Sequence, residues 1–207
     1  MIDTKIKKSR GRPSKFDRND VIVKACQLFR EKGFEATSIA QLCEATKLKP
    51  PSLYASFSDK ETLFCEVLET YHAPYARILN DIFSQPISTL DALTQLLLMN
   101  KSMHCCGQMN GCLIANSSIQ VDNADSNISR LIKALHDKNE AMITARIEQG
   151  KEAGDVASSV NSAAVARFIN GTVQGSAVLA RGQQSSEAVS DMLETAMQLL
   201  PALLKSA

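Results

Sequence analysis

Apolar residues recur along this chain at intervals of three and four, stripe after stripe, and nowhere do they alternate long enough to suggest a strand. Val21, Ala25, Leu28 and Phe29 make the first stripe; Asp17 stands ahead of it as an N-cap, Phe16 can staple onto Val21, and Gly33 stops it. Ile39, Leu42 and Cys43 form a second, with Thr37 or Ser38 as cap and Gln41 three residues after Ser38. The pattern restarts over Pro50, Pro51, Ser52, Leu53, Tyr54, Ala55, Ser56 and Phe57. A first helical turn tolerates prolines because its N–H groups lack intrahelical partners. Leu53 and Phe57, four apart, pin this short helix inward and leave Lys49, Ser52, Tyr54 and Ser56 facing out.

Ser58-Asp59-Lys60-Glu61 reads as a capping box ahead of a fourth helix bearing Leu63, Phe64, Val67, Leu68 and Tyr71. Pro74 interrupts that pattern before Ile78, Leu79 and Ile82 resume it, which predicts a kink or break near Ala73. Further stripes predict a fifth helix from Ser88 toward Gly107 and a short sixth from Gly111 to Gln120. A long seventh from Ile128 stops near Gly154, and an eighth over Val165–Leu179 and a ninth over Val189–Leu203 follow. The expected fold is all-α with about nine helices: a basic mobile arm over 1–15, a three-helix head over 16–60, and a helical-bundle body over 61–207.

Charge divides the chain the same way. The net charge of +1 over 207 residues hides a basic first part, where residues 1–60 hold thirteen Lys and Arg against seven Asp and Glu. The remainder holds ten against fifteen. A phosphate-binding head on a mildly acidic body has this distribution. No run approaches the ~18 apolar residues of a membrane span, and the basic N-terminus lacks a signal peptide's apolar stretch. A cytoplasmic protein without membrane contact, its six cysteines mostly reduced, is the expectation.

The second and third stripes, joined by a tight connection, have the layout of a helix-turn-helix that presents its second helix to the major groove. With Thr37-Ser38, Ile39-Ala40, Leu53-Tyr54-Ala55-Ser56-Phe57 and Lys60-Glu61 in this order, the stretch from Phe16 to Leu68 resembles the TetR family of bacterial transcriptional regulators. Lys47 stands where that family usually has Gly, so either Lys47 turns left-handed or the turn differs. Thr37, Ser38, Lys49, Tyr54 and Lys60 are the expected phosphate contacts, with Lys49, Pro51 and Ser52 nearest the base edges of a double-stranded operator. Arg10-Gly11-Arg12-Pro13 resembles the core of an AT-hook, and Arg10 and Arg12 would enter the minor groove; the plainer alternative is a solvated tail.

On the eighth helix Gly171 and Gly175 share a face that would let another helix approach, within the chain or from a second copy. The resemblance implies a homodimer through the last two helices, with Leu193 and Leu200 of the apolar ninth in the interface. Two heads at about 34–36 Å, or a multiple, would then read a symmetric operator.

The body has one chemically unusual run, Met103-His104-Cys105-Cys106-Gly107-Gln108-Met109-Asn110-Gly111-Cys112. Sulfur and imidazole suit Cu(I) or Zn(II), and clustered thiols can be oxidised or alkylated, but the spacing is no paired C-x-x-C site. No metal or cofactor is assigned. Cys112 opens a helix whose N–H groups would favour its thiolate, while the plainer alternative is a small residue packed beneath an effector pocket. Met99, Asn116, Phe168 and Gln174 join that pocket by helix order. His72, His104 and His136 are scattered and no catalytic motif is visible, so no enzyme is expected. The expected function is a DNA-binding regulator released by a small-molecule or thiol-reactive effector. The alternatives are a sequence-blind architectural DNA binder, or a thiol enzyme using Cys112 and His104.

Overall fold

A computed structural model of the chain describes residues 16–105, 111–120, 126–181 and 186–205, and all nine regular elements among them are helices. The head contains α1 (Arg18–Lys32), α2 (Ile39–Thr46) and α3 (Pro50–Phe57). Asp17 caps α1 by accepting from the Asn19 N–H, and Gly33 ends it at φ 83°. Val21, Ala25, Phe29, Leu42, Leu53 and Phe57 close on one another and on Leu63, Phe64, Val67 and Leu68 of α4 (Lys60–Phe83). Phe64 meets Phe29 edge-on at 4.7 Å between ring centres. This core does not stop at the expected boundary after Lys60, for it includes Leu113 and Ile114 of α6 (Leu113–Gln120) and Ile128 and Ile132 of α7 (Asn127–Ala153).

A second core joins α5 (Thr89–Cys105) and α7 to α8 (Ser162–Arg181) and α9 (Ser186–Leu203) through Leu93, Leu96, Leu97, Ile143, Ile147, Ile169, Leu193 and Leu200. Leu193 and Leu200 are fully buried within this chain alone. Their expected place in a dimer interface is therefore corrected: the stripe Val189, Leu193, Ala196, Leu200 is used against α5 and α8. Gly175 belongs to the same packing, since a Cβ there would lie 2.8 Å from the Met192 Cε. Gly171 faces open space.

Two local expectations change as well. Helix α4 runs unbroken through Pro74, because buried side chains hold it on both sides, Leu63 to Leu68 before and Leu79 and Ile82 after, and outweigh one missing N–H. Its cap is Asp59 alone, whose carboxylate accepts from the Thr62 N–H at 2.7 Å. Ser58 instead sits at φ 62°, ψ −59° in a tight turn closed by Asp59 N–H to Phe57 O, 2.7 Å, a strained conformation for a side-chain-bearing residue. Glu61 reaches out of α4 and accepts from the Asn127 N–H at 3.0 Å, fastening the start of α7 beside the head.

Candidate DNA-reading face and ligand cavity

Helix α3 is anchored by Leu53 and Phe57, 2% and 1% exposed, and Arg18 covers the Phe57 ring at 4.1 Å while donating to the Ser56 carbonyl. That anchoring turns Pro51, Ser52 and Tyr54 outward, and Lys49, the N-cap residue, makes no side-chain capping bond. All four lie on one exposed end and flank of α3; its first turn offers no free N–H, since Pro50 and Pro51 have none and those of Ser52 and Leu53 donate to the Lys49 carbonyl. Ser38 is exposed at the start of α2 and forms a reciprocal capping box with Gln41; its oxygen accepts from the Gln41 N–H, leaving the hydroxyl hydrogen available.

Two expected phosphate contacts are corrected. Thr37 is wholly buried and its hydroxyl donates to the Gly33 carbonyl at 2.7 Å, so it closes the α1–α2 connection from inside. Lys60 bends back instead of facing out. Its Nζ donates to the carbonyls of Phe34 (3.0 Å) and Thr37 (3.2 Å) and lies 4.2 Å from the Phe34 ring centre. Arg10 and Arg12 lie outside the described residues.

Lys47 closes α2 in the left-handed region, at φ 60° and ψ 23°, so the turn keeps its shape without glycine. That conformation costs a β-carbon-bearing residue roughly 1 kcal/mol. Lys47→Gly is accordingly expected to raise the unfolding free energy by about 0.5 kcal/mol, the greater freedom of unfolded glycine offsetting part of the relief. Urea unfolding with a lower midpoint than the parent protein would show that the Lys47 side chain contributes more than its backbone costs.

Where α4 passes α5, α6, α7 and α8 the body encloses a cavity of about 230 Å³. His72, Tyr71 and Tyr75 come from α4, His104 from α5, Asn139 and His136 from α7, Asn170 and Gln174 from α8, and Cys112 from the residue before α6. The three histidines, scattered in sequence, meet here. His72 Nε2 lies 3.0 Å from Asn139 Oδ1, and His104 Nδ1 lies 3.0 Å from Ser176 Oγ. Burial pushes all three imidazoles below their usual range, and the proximity of His72 lowers His136 further, so the three histidines favour their neutral form at pH 7. Burial raises both tyrosines, Tyr75 to about 12, so both remain phenols. Tyr71 hydrogen-bonds at the Cys112 side chain and the Leu113 backbone.

Of the expected pocket residues, Met103, His104, Cys112 and Gln174 line this cavity. Met99 packs into the second core, Asn116 is buried away from the lining, and Phe168 is 40% exposed on the outside of α8. Each sits on an expected helix but is rotated off the cavity side. Cys106 and the Cys105 side chain fall outside what is described, and no group of three metal-binding side chains occurs among the described residues. Arg30, Tyr71, His72, Asn100, His136, Asn139 and Asn170 were absent from the expected set. Their signal was polar residues on apolar stripes, as His72 follows Leu68 by four and Asn139 precedes Ile143 by four.

Residues 21–67 match the family described as bacterial regulatory proteins, tetR family, and residues 87–196 match the tetracyclin repressor-like C-terminal domain. The chain is 32% identical over 202 residues to the HTH-type transcriptional repressor ComR of Escherichia coli (strain K12), covering 97% of this chain and 96% of ComR. It is 36% identical over 97 residues to the HTH-type transcriptional repressor BdcR of the same strain, covering 47% and 49% of the two chains. A cysteine-substituted form of the TetR family regulator CifR, solved with a 26-base-pair operator DNA, superposes with a TM-score of 0.82 at 26% identity, covering 91% of this chain and 98% of that one.

Proposed function

Because the chain belongs to the TetR family of bacterial regulatory proteins and is a sequence-specific DNA-binding transcriptional repressor, we propose that it grips two operator half-sites as a homodimer and lets go when a small molecule enters the body cavity. The observation that carries this is α3 itself: a short helix held from behind by Leu53 and Phe57, with Lys49, Pro51, Ser52 and Tyr54 exposed in front. Lys49 and Tyr54, with Ser38 beside them, suit phosphates; Pro51 and Ser52 suit base edges. Release is a population shift, its size set by the effector's differential affinity for the two head spacings. No helix among the described residues is long and apolar enough to cross a membrane.

Binding to duplexes from the promoter regions flanking the coding sequence, at fixed salt and against scrambled duplexes, tests the division of labour on α3. Lys49→Ala should weaken both kinds of DNA alike and lower the salt dependence by about one ion. Ser52→Ala should cost the cognate duplex about 1 kcal/mol more than the scrambled one. If both changes act equally on both duplexes, the division between phosphate and base contacts on α3 is overturned; binding that does not distinguish cognate from scrambled DNA at all would mark a sequence-blind binder.

The cavity also brings Cys112 and His104 onto one wall, which bears on the two thiol alternatives. In the proposed sensor, a maleimide lowers operator affinity once per protomer, and Cys112→Ser resists it. Repeated turnover of a substrate would mark an enzyme. No catalysis is assigned to the chain.

A further inference from the structure

The cavity wall is close to self-satisfied. His72 pairs with Asn139, His104 with Ser176, Tyr75 with Asn100, and Asn170 with the His136 carbonyl. Arg30 breaks the pattern. Its Nε is buried with no hydrogen-bond partner, and its guanidinium lies 5.9 Å from the centre of the Tyr71 ring. Among the described lining residues Arg30 is the one cation, and none carries a carboxylate. A guanidinium keeps its charge at any physiological pH; Arg30 as a whole is half-buried, with its Nε the atom that is both buried and unpartnered. Gln174, on α8, is a second polar group on the lining.

The rest of the lining has the opposite character. Ile78 and Met103 line the cavity while 44% and 53% exposed, and Ile114 and Val173 add further apolar surface. A polar solute alone would leave those faces uncovered. At ~30 Å³ per water the cavity equals roughly eight waters, enough for about ten non-hydrogen atoms.

We propose that the cavity takes a small organic anion, its carboxylate or equivalent oxyanion on Arg30 and its apolar body against Ile78, Met103, Ile114 and Val173. This rests on the cavity being the effector site. Arg30 belongs to α1 of the head, whereas the other lining side chains come from α4 to α8 and the residues just before α6. An oxyanion seated there bridges head and body directly, and its bond to Arg30 is a contact that differs between head positions.

Calorimetric titration of the full-length protein with benzoate, its neutral isostere benzamide, and inorganic phosphate tests this without any variant. Benzoate is expected to bind saturably and at least tenfold more tightly than the other two, a charge-assisted bond supplying the difference. Equal binding of benzoate and benzamide, or no benzoate binding by protein that still holds operator, overturns the proposal. Phosphate binding as tight as benzoate overturns the organic part. Arg30→Gln should lower benzoate affinity ten- to a hundredfold and leave benzamide unchanged, with Arg30→Lys recovering part of the loss. Operator affinity is measured separately. Saturating benzoate that leaves it unchanged supports the anion site and overturns the effector role of the cavity.

Discussion

Replacing Gly150 by alanine is expected to destabilise the protein by about 3 kcal/mol, although helix propensity alone predicts a gain of about 1 kcal/mol. Gly150 is buried near the end of α7, where its carbonyl accepts from the N–H groups of Asp155 and Val156 at 2.9 and 3.2 Å. A β-carbon there would collide with Thr89 Oγ1 and Asp155 Oδ1 and stand 2.7 Å from the Val156 Cγ2. Those atoms cannot simply swing away. The Asp155 carboxylate accepts from both the N–H and the hydroxyl of Thr89, capping α5, and buried Arg146 donates to the Thr89 hydroxyl at 2.8 Å and to the Ile87 carbonyl. Overpacking and the loss of these bonds act together. For a chain of 207 residues the melting temperature should fall by roughly 6–12 °C. A melting temperature at or above the parent's would mean that the junction of α5 and α7 yields at little cost.

The second large effect is on assembly. With Leu193, Leu200 and Gly175 used inside the chain, the outward apolar side chains on the last two helices are Phe168, 40% exposed, and Leu199, 45% exposed, with Gly171 one turn from Phe168. Changing Phe168 and Leu199 together to Glu should give a folded monomer by sedimentation. In the proposed homodimer the second half-site would then no longer be captured intramolecularly, so operator affinity should drop about a hundredfold or more. Affinity for an isolated half-site should hardly move. A double variant that still sediments as a dimer would place the interface on other helices. The paired change Leu193→Glu and Leu200→Glu serves as contrast, since charges on those buried positions should unfold the chain.

The helices were legible because each obeys local rules. Asp17, Ser38, Gly33 and Gly154 punctuate the helix ends where the apolar stripes say they should. Pro74 misled because its local cost is visible in the sequence, while the packing of both halves of α4 that outweighs it comes from remote residues. Thr37 and Lys60 misled for a related reason. A hydroxyl and an ammonium beside a DNA-reading helix look available, but the loop over Gly33–Thr37 carries carbonyls that need donors, and these two side chains supply them. Leu193 and Leu200 illustrate a different limit: a stripe announces that a helix is buried on one face, not against which partner. The cavity was half legible. Cys112, His104 and Gln174 could be placed by helix order, but the entry of Arg30 from the head follows only from how α1 lies on α4.

The continuity of α4 through Pro74 has a mechanical consequence. At 1.5 Å per residue, Lys60 and Tyr75 are about 22 Å apart along one stiff rod. Tyr75 borders the cavity, while Lys60 holds the loop between α1 and α2. Pivoting that rod by about 10° near Tyr75 would displace its far end by about 4 Å, close to the ~3.4 Å rise per base pair along the axis of a DNA duplex. In the proposed release, a pivot of that size would move the head by about one base-pair rise at the groove, and it would carry along the α6 and α7 residues that share the head's core.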